Sequence, residues 1–190
     1  MAGAVELHAR GGALGHAGSG ARASRSRALT VVGAARVDAT PSFWLRARPP
    51  VLALALTIVA LALHALVLGA AVPWAQSVPI GSALGLAGFG WMAWAHAALR
   101  RAGTSIAPTA MPRVLVDEGP YRFGRNPIYL GLLVTMLGLG VAAGVPLMAI
   151  AAANFAAIVA SVHVPHEEAN MQRTFGGWYS DYAASVRRWL

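Results

Sequence analysis

Arg122, Arg125, Tyr121 and Tyr129 fall within one short segment, Gly119-Pro-Tyr-Arg-Phe-Gly-Arg-Asn-Pro-Ile-Tyr-Leu-Gly131. Asn is a residue type that caps helix N-termini and Pro one that opens them, so Asn126-Pro127 predicts a helix start just after the arginines. Free N–H groups, the helix dipole and guanidinium forks gathered at one helix start favour a carboxylate or a phosphate. The plainer reading is a capped helix whose arginines hold lipid headgroups. The segment alone does not choose between them.

A second polar run is His166-Glu-Glu-Ala-Asn-Met-Gln-Arg-Thr-Phe-Gly-Gly-Trp-Tyr-Ser-Asp-Tyr182, followed by Ala-Ala-Ser-Val-Arg-Arg-Trp-Leu190. Glu168, Gln172, Phe175, Tyr179, Tyr182 and Val186 alternate four and three apart, so an unbroken helix would align them on one face. Gly176-Gly177 opposes that continuity by about 1 kcal/mol per glycine, and a broken helix wrapping something fits equally well. Glu167 and Glu168 follow a long apolar stretch, and a carboxylate at a membrane border needs a partner. Arg122 and Arg125 are the obvious ones, either as salt bridges or as co-ligands of a group bearing ribose hydroxyls or an ammonium.

Other polar residues carry less. His163 and His166 flank Pro165 and lack further ligands at metal spacing, so no metal site is expected. The chain has no cysteine, which excludes disulfides and thiolate chemistry. His64 lies mid-way along an apolar run, where a neutral imidazole bonded to a carbonyl is as reasonable as a functional group. Asn154 is expected to bond across helices, and Gly81 with Gly85 to let two helices approach closely.

These segments need elements to position them. The chain has 190 residues, 57% hydrophobic and 12% charged, against roughly a quarter charged in soluble domains. Uncharged stretches at Val51–Val72 and Val78–Leu99 each match a bilayer core of about 30 Å at about 1.5 Å per residue. The turn between them holds Trp74, where interfacial aromatics sit. A longer apolar stretch is divided by Gly144-Val-Pro146 into about Ile128–Ala143 and Leu147–Val164, a tight hairpin of somewhat short helices, with Pro165 able to shift where the second ends.

The expected fold is an all-α polytopic bundle of about four transmembrane helices with a C-terminal helical segment. Seven arginines precede the first helix, five lie from Arg100 to Arg125 and three follow Met171, while both connecting turns have none. The positive-inside rule puts both chain ends and the central loop in the cytoplasm, so the two polar segments can meet. Residues 1–48, rich in Arg, Gly and Ala, read as a flexible cytoplasmic tail without a cleavable signal, and 49–190 as the membrane domain. The net charge of +8 sits in membrane flanks rather than on a nucleic-acid-reading face, so no nucleic acid is expected. The Arg, Ala and Gly bias suits a bacterial inner-membrane protein.

Taken together, the two segments resemble the signatures of the isoprenylcysteine carboxyl methyltransferase and phospholipid methyltransferase superfamily. Its members carry Gly-Pro-Tyr/Phe-Arg and Arg-His/Asn-Pro-x-Tyr-x-Gly, a hairpin, Glu-Glu, Phe-Gly-x-x-Tyr-x-x-Tyr and a terminal Arg pair. Here these are Gly119 to Arg122, Arg125 to Gly131, Glu167-Glu168, Phe175-Gly176, Tyr179, Tyr182 and Arg187-Arg188. The resemblance covers about residues 113–190, where the order and spacing agree jointly. It implies S-adenosylmethionine as methyl donor, with Arg125 and Glu168 as the catalytic pair. The donor-binding set implied is Tyr121, Arg122, Arg125, Asn126, Pro127, Tyr129, Gly131, Glu167, Glu168, Tyr179 and Tyr182. Arg125 and the Asn126-Pro127 helix start would take the donor's carboxylate, and Glu167 or Glu168 its ribose or ammonium. Tyr129, Tyr179 and Tyr182 would stack on adenine or face the sulfonium. Asn126 replaces the His of many members, and it can cap a helix but cannot titrate near neutrality.

The expected function is methyl transfer to a lipophilic or membrane-associated acceptor: an isoprenylcysteine carboxylate, a phospholipid amine or a small hydrophobic or thiol metabolite. Two alternatives stand beside it, a sterol-type nicotinamide-dependent membrane reductase, usually larger, and a non-catalytic helix bundle. The sequence leaves the oligomeric state open.

Overall fold

The computed structural model describes residues 47–69, 72–103 and 114–190; the expected tail up to residue 46 and the loop 104–113 lie outside them. Among the described residues the structure is helical throughout. The long elements are α1 (Pro49–Val67), α2 (Val78–Arg101), α3 (Pro127–Ala143), α4 (Leu147–Ile158), α5 (Val164–Phe175) and α6 (Gly177–Ser185). One π-turn, Val159–His163, joins α4 to α5. Helical residues Leu147–Phe175 run on as a single rod, which with α1 and α2 gives three helices long and apolar enough to cross a membrane. The 17-residue α3 is a shorter apolar helix, of roughly 26 Å at 1.5 Å per residue.

α1, α2, α3 and α5 each have Pro in the first turn. In the first three, which start fresh, the missing N–H costs no helical bond. α1 stops at Val67, short of the expected Val72, because Leu68 and Gly69 both turn back onto the His64 carbonyl and Gly69 takes φ +70°. α3 stops where expected, with Gly144 left-handed at φ +66°, the usual C-terminal role of glycine. The fourth helix does not end at Val164. Pro165 lacks an N–H and its ring presses on the carbonyl four residues back, at Ser161. The widened π-turn at that place accommodates both effects, and the helix continues to Phe175.

The turns before α2 and after α3 meet at one end of the bundle, where Val72 N–H bonds Gly144 O at 2.9 Å and Ser77 N–H bonds Val141 O at 2.9 Å. Both polar segments therefore lie at the other end. α2 and α3 pack backbone to backbone. A methyl group built on Gly88 would sit 2.6 Å from Thr135 N and 2.8 Å from Gly131 O, and one on Gly131 2.7 Å from Gly88 O. Gly81 likewise abuts Ala142, whereas Gly85 has ordinary clearance of 3.9 Å. Small residues permit such approach where lipid offers no hydrophobic driving force between helices. On the other side of α3, Met136, Met148, Phe155 and Val159 form the core with Leu52 and Ala60 of α1. The outer faces of α1 and α2 expose Leu54, Ile58, Leu66, Ile80, Leu86 and Phe89, an apolar surface suited to hydrocarbon rather than water. Among the described residues Asn154 does not bond across helices: it is exposed, and its amide donates to Ile150 O of its own helix at 2.8 Å.

Candidate active site

The site forms where α3 begins, α5 ends and α6 returns. Just before α3, Gly119–Arg122 makes a single 3-10 turn opened by Pro120 and by Gly119 at φ +59°. That turn buries Tyr121, whose carbonyl accepts a hydrogen bond from the Tyr182 hydroxyl at 2.8 Å. Gly176, at φ +55° and ψ −122°, breaks the helix between α5 and α6. The unbroken six-residue stripe therefore does not exist as such. The break instead folds α6 back, so that Tyr179 and Tyr182 are buried with ring centroids 6.2 Å apart.

Arg125 is the centre of the arrangement. Its side chain is only 14% exposed; Nη2 pairs with Glu168 Oε1 at 3.0 Å and Nη1 donates to Ala183 O at 2.9 Å. Its Nε is buried and, among the described residues, has no partner. Glu168 also receives a two-pronged contact from Arg188, Nε to Oε1 at 3.1 Å and Nη2 to Oε2 at 2.7 Å. This fork-to-fork geometry is the strong form of the guanidinium–carboxylate pair. Glu167 is treated differently. It accepts a 2.5 Å hydrogen bond from the Tyr129 hydroxyl, and neither arginine reaches it. The two adjacent carboxylates thus have separate environments, one ionic and one phenolic.

Burial raises the pKa of the Tyr121 and Tyr182 phenols well above the usual tyrosine value, reinforced in Tyr121 by the charges of Tyr182 and Glu167 and in Tyr182 by that of Tyr179. Tyr179 is raised chiefly by burial as well, then by the Glu168 charge. The three therefore remain neutral hydrogen-bonding or stacking groups rather than phenolate nucleophiles. The hydrogen bond and charge of Glu168 raise Arg188, fixing it as a cation.

After α6 the chain extends into a strap that crosses the start of α3. Arg125 N–H bonds Arg187 O at 2.9 Å, and Asn126 Nδ2 donates to Arg188 O at 2.9 Å. Trp189 packs against the main core. Gly124 lies so close to Trp189 that a Cβ would overlap the Trp189 carbonyl. Leu190 reaches a cleft of about 200 Å³ between α2 and α3, lined also by Ala87, Trp91, Leu130 and Val134.

Of the residues singled out from the sequence, Tyr121, Arg125, Tyr129, Glu167, Glu168, Tyr179 and Tyr182 come together here. Arg122 does not: it is exposed, with its guanidinium 5.3 Å from the Phe123 ring centroid. Gly131 lies in the α2–α3 contact, and Pro127 serves the first turn of α3. Asn126 makes no capping bond from its side chain, because the amide is turned to Arg188 O. Sequence reasoning left Arg188, Gly124 and the strap carbonyls out of the site. Arg188 carried a signal, as one of a paired Arg in the resemblance. Carbonyls carry no residue-type signal at all.

The sequence pattern of the phospholipid methyltransferase family matches residues 77–177. The chain belongs to that family. The match takes in α2, the Arg125 segment, α3, the hairpin and the Glu167-Glu168 pair, and with the apolar helices it identifies an integral membrane methyltransferase fold. No curated protein and no solved structure matches the chain. In this member of the phospholipid methyltransferase family, the matched range includes the paired Arg125 and Glu168, while Tyr179, Tyr182 and Arg188 follow it. Among the described residues no group of His, Asp and Glu is arranged to hold a metal ion.

Proposed function

We propose that the protein transfers a methyl group from S-adenosylmethionine to a lipophilic acceptor, such as an isoprenylcysteine carboxylate, a phospholipid amine or a small hydrophobic or thiol metabolite. The observation that carries the reading is Arg125, a buried guanidinium at a helix start whose Nε lacks a partner among the described residues. A buried donor left unpaired is costly, and an anionic group at that point would satisfy it together with the first-turn N–H groups of α3. The donor's carboxylate has the required charge.

S-adenosylmethionine, when bound, supplies a methyl group already activated by a sulfonium. The protein's remaining task is to bind, orient and exclude water. Arg125 and the free first-turn N–H groups of α3 that follow Pro127 hold the carboxylate. Glu168, whose side chain is 20% exposed against 14% for Arg125, takes ribose hydroxyls, and Glu167 is the partner for an ammonium. Tyr129, Tyr179 and Tyr182 offer neutral aromatic faces to the adenine or the sulfonium. Residues 1–48 are a tail outside the catalytic domain 49–190. The distribution of arginines supports a site on the cytoplasmic face, and the Arg, Ala and Gly bias supports a bacterial inner membrane.

Isothermal titration of the detergent-purified protein with S-adenosylmethionine, and separately with reduced nicotinamide phosphate cofactor, tests this. Saturable binding of the first alone, weakened by about tenfold or more in Glu168→Ala, is expected. Binding of the nicotinamide, or of neither in a folded sample, overturns the proposal.

A further inference from the structure

We infer that Asn126 is a positioning residue that acts on the donor site through the 187–190 strap rather than by touching the donor or capping α3. The inference rests on the donor reading above and adds a role for a side chain and a segment which that reading leaves unexplained.

The start of α3 is bound to the strap at consecutive residues. Gly124 gives room for the Trp189 carbonyl, Arg125 N–H holds Arg187 O, and the Asn126 amide holds Arg188 O. Asn126 is 7% exposed, and one of the two N–H groups of its carboxamide is given to Arg188 O. The Arg188 peptide it grips belongs to the residue whose side chain forks onto Glu168, and Glu168 in turn pairs with Arg125. The connections therefore form a closed circuit: Arg125 to Glu168, Glu168 to Arg188, the Arg188 backbone to Asn126, and Asn126 back to its chain neighbour Arg125. Half-exposed Arg188 is a long side chain, and holding it in the forked geometry costs side-chain entropy. Fixing its backbone removes much of that freedom before any ligand arrives, which is how preorganisation raises affinity.

The circuit also fixes what the residue at 126 must be. It must present an N–H donor at carboxamide reach. Aspartate has the same shape and no donor, and it sets a carboxylate against the Arg188 carbonyl. Histidine keeps a ring N–H.

The test uses the full-length protein in detergent, with two readouts. In donor-free protein, amide hydrogen exchange over 183–190 rises in Asn126→Asp and stays near wild type in Asn126→His. The S-adenosylmethionine Kd rises about tenfold in Asn126→Asp and is largely retained in Asn126→His. Gly124→Val, whose side chain displaces the Trp189 carbonyl, raises exchange and Kd by itself, and adding Asn126→Asp to it raises neither further, since both act through one element. If Gly124→Val does not fold, a chain ending at Val186 replaces it in the cycle. Unchanged exchange in Asn126→Asp, or an undiminished Asn126→Asp effect on Kd in the strap-released background, overturns the inference. A wild type that binds no donor defeats the underlying reading instead, and the exchange measurement still decides the tether.

Discussion

Gly88 and Gly90 lie two residues apart on α2, and alanine at each is expected to change stability in opposite directions. A Cβ at Gly88 would stand 2.6 Å from Thr135 N, 2.8 Å from Gly131 O and 2.9 Å from Thr135 Oγ1. Two of these neighbours are backbone atoms of α3 and cannot rotate away. Restoring ordinary contact at 3.4 Å requires α2 and α3 to part by roughly 0.8 Å, the upper part of the about 1–3 kcal/mol range for overpacking. Alanine recovers about 1 kcal/mol of helix propensity, leaving a net loss of about 1–2 kcal/mol. For a chain of this length each kcal/mol moves Tm by about 2–4 °C, so Gly88→Ala lowers Tm by about 2–8 °C. Gly90 meets nothing within 4 Å, and Gly90→Ala keeps only the propensity gain, raising Tm by about 2–4 °C. Thermal unfolding in detergent, followed by circular dichroism, measures both. Because α3 carries Arg125 and Tyr129 at its start, Gly88→Ala also weakens donor binding, as sub-ångström displacement of positioning groups does. Equal shifts of the two variants, or a stabilised Gly88→Ala, would refute the backbone-to-backbone account of the α2–α3 contact.

The tyrosine pair gives a pH dependence. Burial raises Tyr121 and Tyr182 above 10.0, so the folded protein holds these protons more tightly than the unfolded chain. Their contribution to stability is complete below pH about 10 and is lost as pH rises beyond it. Tm should fall along an alkaline limb above pH about 10, and Tyr182→Phe should flatten that limb while costing about 1 kcal/mol at neutral pH through the lost bond to Tyr121 O. Asn154 faces outward and bonds only its own helix among the described residues, so Asn154→Leu should change stability by no more than about 0.5 kcal/mol. A larger loss would show that the amide has a partner beyond this chain.

The membrane class, the four apolar helices and the convergence of two polar segments were legible because they rest on composition, period and arginine placement. Each of these is a property of residue type along the chain. Pro127 and Gly144 bounded α3 for the same reason: one fixes φ and lacks an N–H, the other tolerates a left-handed turn. What depends on geometry in three dimensions was not legible. Pro165 reads locally as a helix terminator, and only the π-turn upstream turns it into a continuous rod. Gly85 and Gly88 are the same residue, and only the facing backbone of α3 distinguishes an open contact from a closed one. Glu167 and Glu168 are identical neighbours, yet consecutive helical residues point about 100° apart, so one meets the Tyr129 hydroxyl and the other two guanidinium groups. Asn126 is a helix cap by type and a strap tether in place, because its partner is a carbonyl 62 residues away. The sequence by itself determined the membrane class, the apolar helices and the end of the bundle at which the two polar segments gather. The tertiary structure decided which of them touch, because that depends on backbone groups and helix faces that residue identity does not encode.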